Sequence, residues 1–433
     1  MKKIIVIGGN QGALAMAYKL GNIGYDVTVY EKKAREDVAY DWYDDIDPVI
    51  FSELNIPLPP ENTFFKKKPW SFINPSETIA VNTGGGQDHD ISVFRRPLND
   101  YLYEYAKDKA KINYCSEVDS LITEDGKVCG AIVNGEEKRA DLVVDCSGLN
   151  SKFRQSLPDE FGIQKNPLRE EVFEAYRGFY QSNPDADVPK IKHKAYLRHN
   201  FKKGISWCVY TEEGLVDILI GRIGELSKEE KEEAFIALKK DNPILSDKLC
   251  KCGYTCKIPV RYPISRMVAD GYVLAGDSAF MTIPMMGSGI VCSLSCAVFL
   301  SDVLAKNDDF SVRNLWNYQV KFYEKFAGYA GIDVLKRWLL KEKAEDIDFL
   351  FTSGVIDENI IAGGMDGNGV KLSFATLLKK AWQGRKRIGV LLRLGASMSV
   401  LKKAVKTAKN LPKVFDEKQV IKWQKRYDGI FNK

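Results

Sequence analysis

Two segments almost 270 residues apart share one pattern. Residues 4–15 read IIVIGGNQGALA and residues 273–290 read VLAGDSAFMTIPMMGSGI. Each is a short apolar strand that runs into small residues and then opens a helix. A buried β-branched strand followed by a glycine turn and a helix starts a parallel α/β layer, and the helix then aims its first amides at a phosphate. In the register G-x-G-x-x-G/A the first segment places Gly8, Asn10 and Ala13. Gly8 permits the tight turn, and Gly9, Gln11 and Gly12 complete it. Asn10 stands where close approach to a phosphate usually asks for glycine; asparagine tolerates unusual backbone angles better than most residues. A helix is expected from about Gly12 to Leu20, then a strand Val27–Tyr30. That strand ends in Glu31, 23 residues after Gly8, near the offset at which an acid accepts hydrogen bonds from a ribose.

By itself the first turn fits any βαβ unit. A nicotinamide-binding domain would need only this turn. An FAD protein, whose cofactor is longer, often uses both: one turn for the ADP half, and a distant segment against the ribityl chain and ring. The second segment offers Asp277, Pro284 and the turn Gly287-Ser288-Gly289 before Ile290. Asp277 reads either as a ribityl contact or as the N-cap of the following apolar helix.

A chain of 433 residues has room for two or three structural units. Asp119–Asn134 reads as a hairpin round Glu124-Asp125-Gly126, Ala140–Cys146 as a buried strand, and SVFRRPLNDYLYEYA (92–106) as a strand end leading into a helix. Thr83–Gly86 reads as a flexible turn. From Val172 to Arg222 come strand-like runs, including KHKAYLRH, GISWCVY and LVDILIG, and after residue 286 the chain is mainly helical. The expected class is α/β: a Rossmann-like FAD-binding domain (1–70, 88–170, 260–305), interrupted by a β-rich substrate domain (71–87, 171–259), with a helical C-terminal region (306–433). Ser278–Leu300 is uncharged but broken by Pro284, Gly287 and Gly289, so it reads as a turn and buried helix, not a membrane span. The N-terminus reads as a first strand and not a signal peptide.

Nine scattered cysteines suit a reducing cytoplasm. Cys250, Cys252 and Cys256 form C-x-C-x3-C, a spacing that leaves structural thiols, an internal disulfide or a metal open; no C-x-x-C pair or nearby histidine completes a metal site, and none is expected. His89, His193 and His199 are the only histidines and read as structural or exposed. No catalytic residue is assigned, and no proton donor stands out; bound water serves better than Tyr210, which strand alternation turns away from Trp207.

The motif order resembles the geranylgeranyl reductase family of FAD-dependent oxidoreductases, within the p-hydroxybenzoate-hydroxylase-like superfamily. DLVVDCSGLNSKFRQSL (141–157) is similar to its second dinucleotide signature through Asp145, Gly148 and Ser151, VLAGDSAFMTIPMMGSGI to its third, and FRRPLNDYLYEYA to the segment whose arginine meets the cofactor, with Arg96 fitting best. GISWCVYTEEGLVDILIG (204–221) is similar to the strand pair that roofs the substrate pocket. The resemblance implies FAD held by Gly8, Gly9, Asn10, Gln11, Gly12, Ala13, Glu31, Lys32, Arg96, Val118, Gly148, Asp277, Pro284, Gly287, Ser288, Gly289 and Ile290. It implies a pocket walled by Trp207 and Val209, which share one strand face. Two departures stand out. Val209 and Tyr210 replace the usual aromatic and proline, and AYDWYDDID (39–47) replaces the usual Cys/Gly loop near the flavin.

The implied activity is saturation of carbon–carbon double bonds in a polyprenyl lipid, with NAD(P)H or a ferredoxin, the latter a redox partner protein, as electron donor. The alternatives are an FAD monooxygenase or halogenase on an aromatic substrate, a quinone-feeding electron carrier, and a non-enzymatic flavin-binding or membrane-scaffold protein. The chain lacks the tryptophan pair of halogenases, and no cysteine follows Cys296 to hold an iron–sulfur cluster.

Charge is uneven. Residues 371–415 hold 12 Lys/Arg and no Asp/Glu, within a whole-chain net of +5, so the remainder is negative. Phe374, Leu377, Leu378, Ala381 and Trp382 fall on one helical face, with Lys379, Lys380, Arg385, Lys386 and Arg387 beside or beyond it; Met398, Leu401, Val405 and Ala408 repeat the spacing. The stripe reads as a peripheral contact with an anionic membrane, or as an ordinary amphipathic helix packed on the FAD domain. No nucleic-acid recognition motif accompanies it.

Overall fold

The sheet that carries the first glycine turn has six strands in a computed structural model that describes residues 1–83, 90–365 and 374–432. Their order is Val268–Ala269, Tyr272–Leu274, Leu142–Asp145, Lys3–Ile7, Asp26–Tyr30, Lys111–Asn113. All neighbours are parallel except the edge pair of 268–269 with 272–274. Ile4–Ile7 and Leu142–Val144 are almost wholly buried, as expected of central strands covered on both faces. Helix Gln11–Asn22 lies against helix Ile290–Leu304 so closely that a Cβ on Gly12 would come within 2.9 Å of Ser293 Cβ. The two halves of the sequence pattern are therefore brought together by packing. The apolar helix starts at Ile290 with Gly289 as its cap, while Asp277 lies in the separate turn Gly276–Ala279. The N-cap reading of Asp277 is thus corrected, because the chain makes a further turn through Pro284 before the helix begins.

A seven-stranded sheet follows the order Leu245–Pro259, Val172–Ser182, Leu215–Ile223, Gly204–Tyr210, His193–Leu197, Ser71–Ile73, Ala80–Asn82. One face, carrying Cys208, Val216, Ile218 and Ile220, packs with Ala234 and Leu238 of helix Lys228–Asp241. Alternation puts Arg177, Leu219 and Trp207 in one cross-strand row on the opposite face. The Thr83–Gly86 turn falls largely outside the described residues, as does His89.

Helix Gly328–Lys341 is joined to the end of the seven-stranded sheet by buried charge. Glu171 pairs with Arg261 at 3.1 Å and with Arg337 at 2.5 Å, and Asp333 pairs with Lys336 and Arg337 at 2.7 Å each. In helix Ile388–Lys409, Leu401 and Val405 lie over Gly331 of helix Gly328–Lys341, and Ala404 and Ala408 are fully buried. That half of the basic stripe is core packing, so the membrane reading does not extend to Leu401, Val405 or Ala408.

Burial, reinforced by Arg222, pushes His199 from 6.5 down to about 4. The folded state keeps this imidazole neutral while the unfolded chain protonates it near its ordinary value. The associated stability is therefore complete above pH 6.5 and is lost as pH falls towards 4. It amounts to about 3 kcal/mol. Burial also pushes His193 down to about 4, so both imidazoles add to the difference in unfolding free energy between pH 7 and pH 4.5. His199→Gln should reduce that difference by most of its own share; an unchanged pH slope in the variant would remove this assignment.

Candidate functional site

Strand Lys3–Ile7 ends in Gly8, whose φ of 109° is open to glycine alone at no cost, and a Cβ there would sit 2.8 Å from the Cys146 carbonyl oxygen. The sequence therefore needs a glycine where two parallel strands end side by side. Asn10 has an ordinary extended backbone (φ −74°). Its Oδ1 accepts from Ala13 N–H at 3.1 Å and its Nδ2 donates to the Cys146 carbonyl at 2.7 Å. The side chain thus caps the helix and ties it to the neighbouring strand end; no unusual backbone angle is involved. Gln11 and Gly12 line a cavity, and helix geometry leaves their amides without intrahelical partners.

That cavity holds about 740 Å³, within the range of about 300–1,000 Å³ common for small-molecule and cofactor sites. Glu31, Lys32 and Lys33 stand at one end, with Val118, Lys152 and Gly148 beside them. Glu31 accepts from the amides of Gly9 at 2.7 Å and Lys33 at 2.9 Å, so its position is set by the turn it would serve. At the other end stand Asp277, Gly287, Gly289 and Ile290, facing Cys256 and Ile258 of the long strand Leu245–Pro259. Gly287 takes a φ of 70°, again a left-handed turn. Burial pushes the Asp277 carboxyl up, against the opposing pull of Arg95. Among the described residues its carboxylate has no hydrogen-bond donor. A long cavity with open helix amides in the middle, an acid at the ribose position and a half-buried carboxylate without a donor further along fits FAD. The glycine turn would hold the pyrophosphate, Glu31 the adenosine ribose and Asp277 the ribityl hydroxyls. When bound, the flavin would supply two-electron chemistry at its ring.

Several expected residues lie elsewhere. Gly9 and Ala13 support the turn without lining the cavity, and Pro284 and Ser288 shape the second turn from behind; the Ser288 carbonyl accepts from Ile283 N–H at 2.8 Å. Arg96 points away: its Nε donates to Asp41 at 2.7 Å on an exposed surface. The neighbouring Arg95 lines the cavity instead and makes a two-pronged contact with Asp44. Burial alone would raise the Asp44 carboxyl, but Arg95 and then Arg177 hold it below the usual range.

Trp207 and Val209 do not line this cavity either. Between it and their face stands the loop 39–47. Trp42, 2% exposed, lies between two guanidiniums, Arg95 and Arg177, each 5.3 Å from its ring, and stacks on Tyr254. Arg177 in turn is boxed by Tyr43, Phe179 and Trp207 and binds Asp217 through two hydrogen bonds of 2.9 and 2.7 Å. Tyr40, from the same loop, lines the cavity, as does Cys256. Sequence reasoning missed Arg95, Tyr40 and Cys256. For Arg95 the signal was one residue away; for Tyr40 the resemblance placed its loop, 39–47, near the flavin without singling out the residue; for Cys256 nothing in the local pattern marks the cavity. All nine cysteines are free thiols, and Cys250, Cys252 and Cys256 diverge from exposed to half-buried positions along one strand.

No family model matches the chain. It is similar to digeranylgeranylglycerophospholipid reductase of Sulfolobus acidocaldarius, 23% identical over 99% of this chain and 98% of the relative. A second reductase of that name, from Methanococcoides burtonii, is 23% identical over 89% of this chain and 93% of its own. Among solved structures, a geranylgeranyl bacteriochlorophyll reductase-like protein of Thermoplasma acidophilum covers 92% of this chain with a TM-score of 0.72 at 19% identity. A flavin-dependent brominase covers 89% with a TM-score of 0.60 at 15% identity, which speaks for the shared fold alone. Over nearly its whole length the chain is thus similar to proteins named as reductases of geranylgeranyl lipids, and its fold is that of a geranylgeranyl bacteriochlorophyll reductase-like protein.

Proposed function

We propose that the protein saturates carbon–carbon double bonds of a geranylgeranyl-type polyprenyl lipid with electrons from reduced FAD. The observation that carries this reading is the full-length likeness to digeranylgeranylglycerophospholipid reductases. The site agrees with it: the ring end of the cavity meets a β-sheet and a loop rich in aromatic side chains, a surface suited to an alkene chain. Arg95, Tyr40 and the Gly287–Ile290 turn would orient the reacting groups and keep water from them. Electrons would come from NAD(P)H or a ferredoxin. Protein reduced by light without oxygen bypasses that donor. It should be reoxidised by digeranylgeranylglycerophospholipid, and the product mass should rise by about two units per bond saturated. Product that forms only with oxygen and gains an oxygen atom would establish a monooxygenase instead.

The reading extends to the membrane that contains such a substrate. Leu378, Trp382, Ile388 and Leu392 are 56, 66, 56 and 68% exposed, and Arg385 lies over the Trp382 ring at 3.9 Å. Lys379 and Lys386 are exposed beside them, whereas Lys380 is buried on Asp357 and Arg387 pairs with Asp346. The side chains of Phe374 and Leu377 lie outside the described residues. Among the described residues no helix is long and apolar enough to cross a membrane. This short apolar ridge with cations at its edge would sit at the headgroup boundary of an anionic bilayer, each cation adding about 1 kcal/mol. Flotation with phosphatidylserine vesicles should fall with salt and should be lost in Trp382→Ser/Leu392→Ser; flotation unchanged by both would remove the membrane contact.

A further inference from the structure

We propose that the phenol of Tyr40 is the acid that delivers the proton when a double bond is saturated at this site, an inference that rests on the polyprenyl reductase reading above. Saturating an isolated alkene needs a hydride and a proton, and a hydrocarbon chain brings no acidic group of its own.

Few groups at the ring end of the cavity can give a proton. Asp277 would be engaged by the ribityl hydroxyls, and Arg95 does not release its proton in a protein. Lys257 lies at the cavity edge, but strand alternation sets it on the face opposite Cys256, and it is exposed. His193 and His199 do not line the cavity, and Tyr210 packs with the cluster over helix Lys228–Asp241. The hydroxyls of Thr255 and Ser293 also line the cavity, but an alcohol is a far weaker acid than a phenol or a thiol. Tyr40 and Cys256 remain, both lining the cavity beside Asp277 and Arg95. A thiol is a weak hydrogen-bond donor and a phenol a good one. Tyr40 is also held for the purpose. Its ring packs against Trp42 at 5.3 Å and Tyr254 at 5.2 Å. Burial, with Cys256 and Asp277, holds the phenol above its ordinary pKa, so it keeps its proton until the reaction, and the Arg95 guanidinium 6.0 Å from the ring centroid opposes them and favours the phenolate left behind.

The step balances. The π electrons of the alkene form a C–H bond with the phenolic proton as the O–H bond breaks. The other alkene carbon receives the hydride that reduced FAD supplies. The products are the saturated carbon pair, oxidised FAD and a Tyr40 phenolate, which takes its proton back from solvent.

Tyr40→Phe removes only the hydroxyl. In the anaerobically reduced holoenzyme it should slow reoxidation by digeranylgeranylglycerophospholipid at least about 100-fold, the lower range for loss of a positioned acid. FAD content should stay stoichiometric, and lipid affinity of the oxidised holoenzyme, read from the change in flavin absorbance, should stay within about twofold of the parent. Cys256→Ala, which alters the cavity wall but removes no phenol, should slow reoxidation far less than Tyr40→Phe does. A parent-like rate in Tyr40→Phe, a collapse in Cys256→Ala alone, or a loss of lipid affinity as large as the loss of rate would each overturn the assignment while leaving the reductase reading intact. Failure of the parent itself to reoxidise with this lipid would remove that reading and the inference with it.

Discussion

Arg177→Met is expected to lower the unfolding free energy by about 3–5 kcal/mol, because it strands the Asp217 carboxylate in the core. Arg177 is 3% exposed and Asp217 is 0% exposed. Burial alone would lower the Arg177 pKa, but Asp217 outweighs it and the guanidinium stays charged. Arg177 also donates to the Tyr43 carbonyl at 3.1 Å and lies within 5.3 Å of four aromatic ring centroids. Removing the cation therefore costs the pair, the link to loop 39–47 and the ring contacts together. Asp217→Leu should be harmful for the mirrored reason. The double variant Arg177→Met/Asp217→Leu should recover most of the loss, since no unpaired charge remains. Urea unfolding of the three variants at fixed FAD, followed by flavin and tryptophan fluorescence together, would test this. Additive losses would show that the two residues act independently.

That ion pair also shows where the sequence stopped being legible. The glycine turns, the acid at Glu31 and the strand–helix order depend on residues close in the chain, each under a local constraint: φ at Gly8, burial at Ile4–Ile7, alternation along Gly204–Tyr210. Alternation correctly separates Trp207 from Cys208 and Tyr210. It says nothing of what fills the space beyond Trp207. That space is taken by Trp42, 165 positions earlier in the chain, and by Arg177 from another strand. Arg95 and Arg96 are equivalent in sequence, and only the rotation of helix Arg95–Ala106 relative to the cavity separates them. The basic stripe divides for a similar reason. Spacing marks Leu401 and Val405 as one face of a helix, but only the presence of Gly331 opposite decides that the face is core.

Gly8→Ala should yield protein that folds but purifies nearly colourless, with FAD affinity reduced at least about 100-fold, or about 2.7 kcal/mol. The added Cβ would lie 2.8 Å from the Cys146 oxygen and 3.2 Å from its carbonyl carbon, in a backbone conformation at φ 109° that alanine resists. The strand ends must part or the turn must flip, at a strain of about 1–3 kcal/mol, and either movement displaces the amides of Gln11 and Gly12 from the pyrophosphate position. Six-stranded packing further down, through Ile4 and Val143, is untouched, so far-UV circular dichroism should be retained. Asn10→Gly is the informative partner. It restores the usual glycine spacing but removes the helix cap and the tie to Cys146. Glycine is itself an acceptable N-cap, so that change should cost only about 1 kcal/mol in stability and leave the protein yellow. If Gly8→Ala retained stoichiometric FAD while Asn10→Gly lost it, the phosphate would be held by the asparagine side chain and not by the turn's backbone.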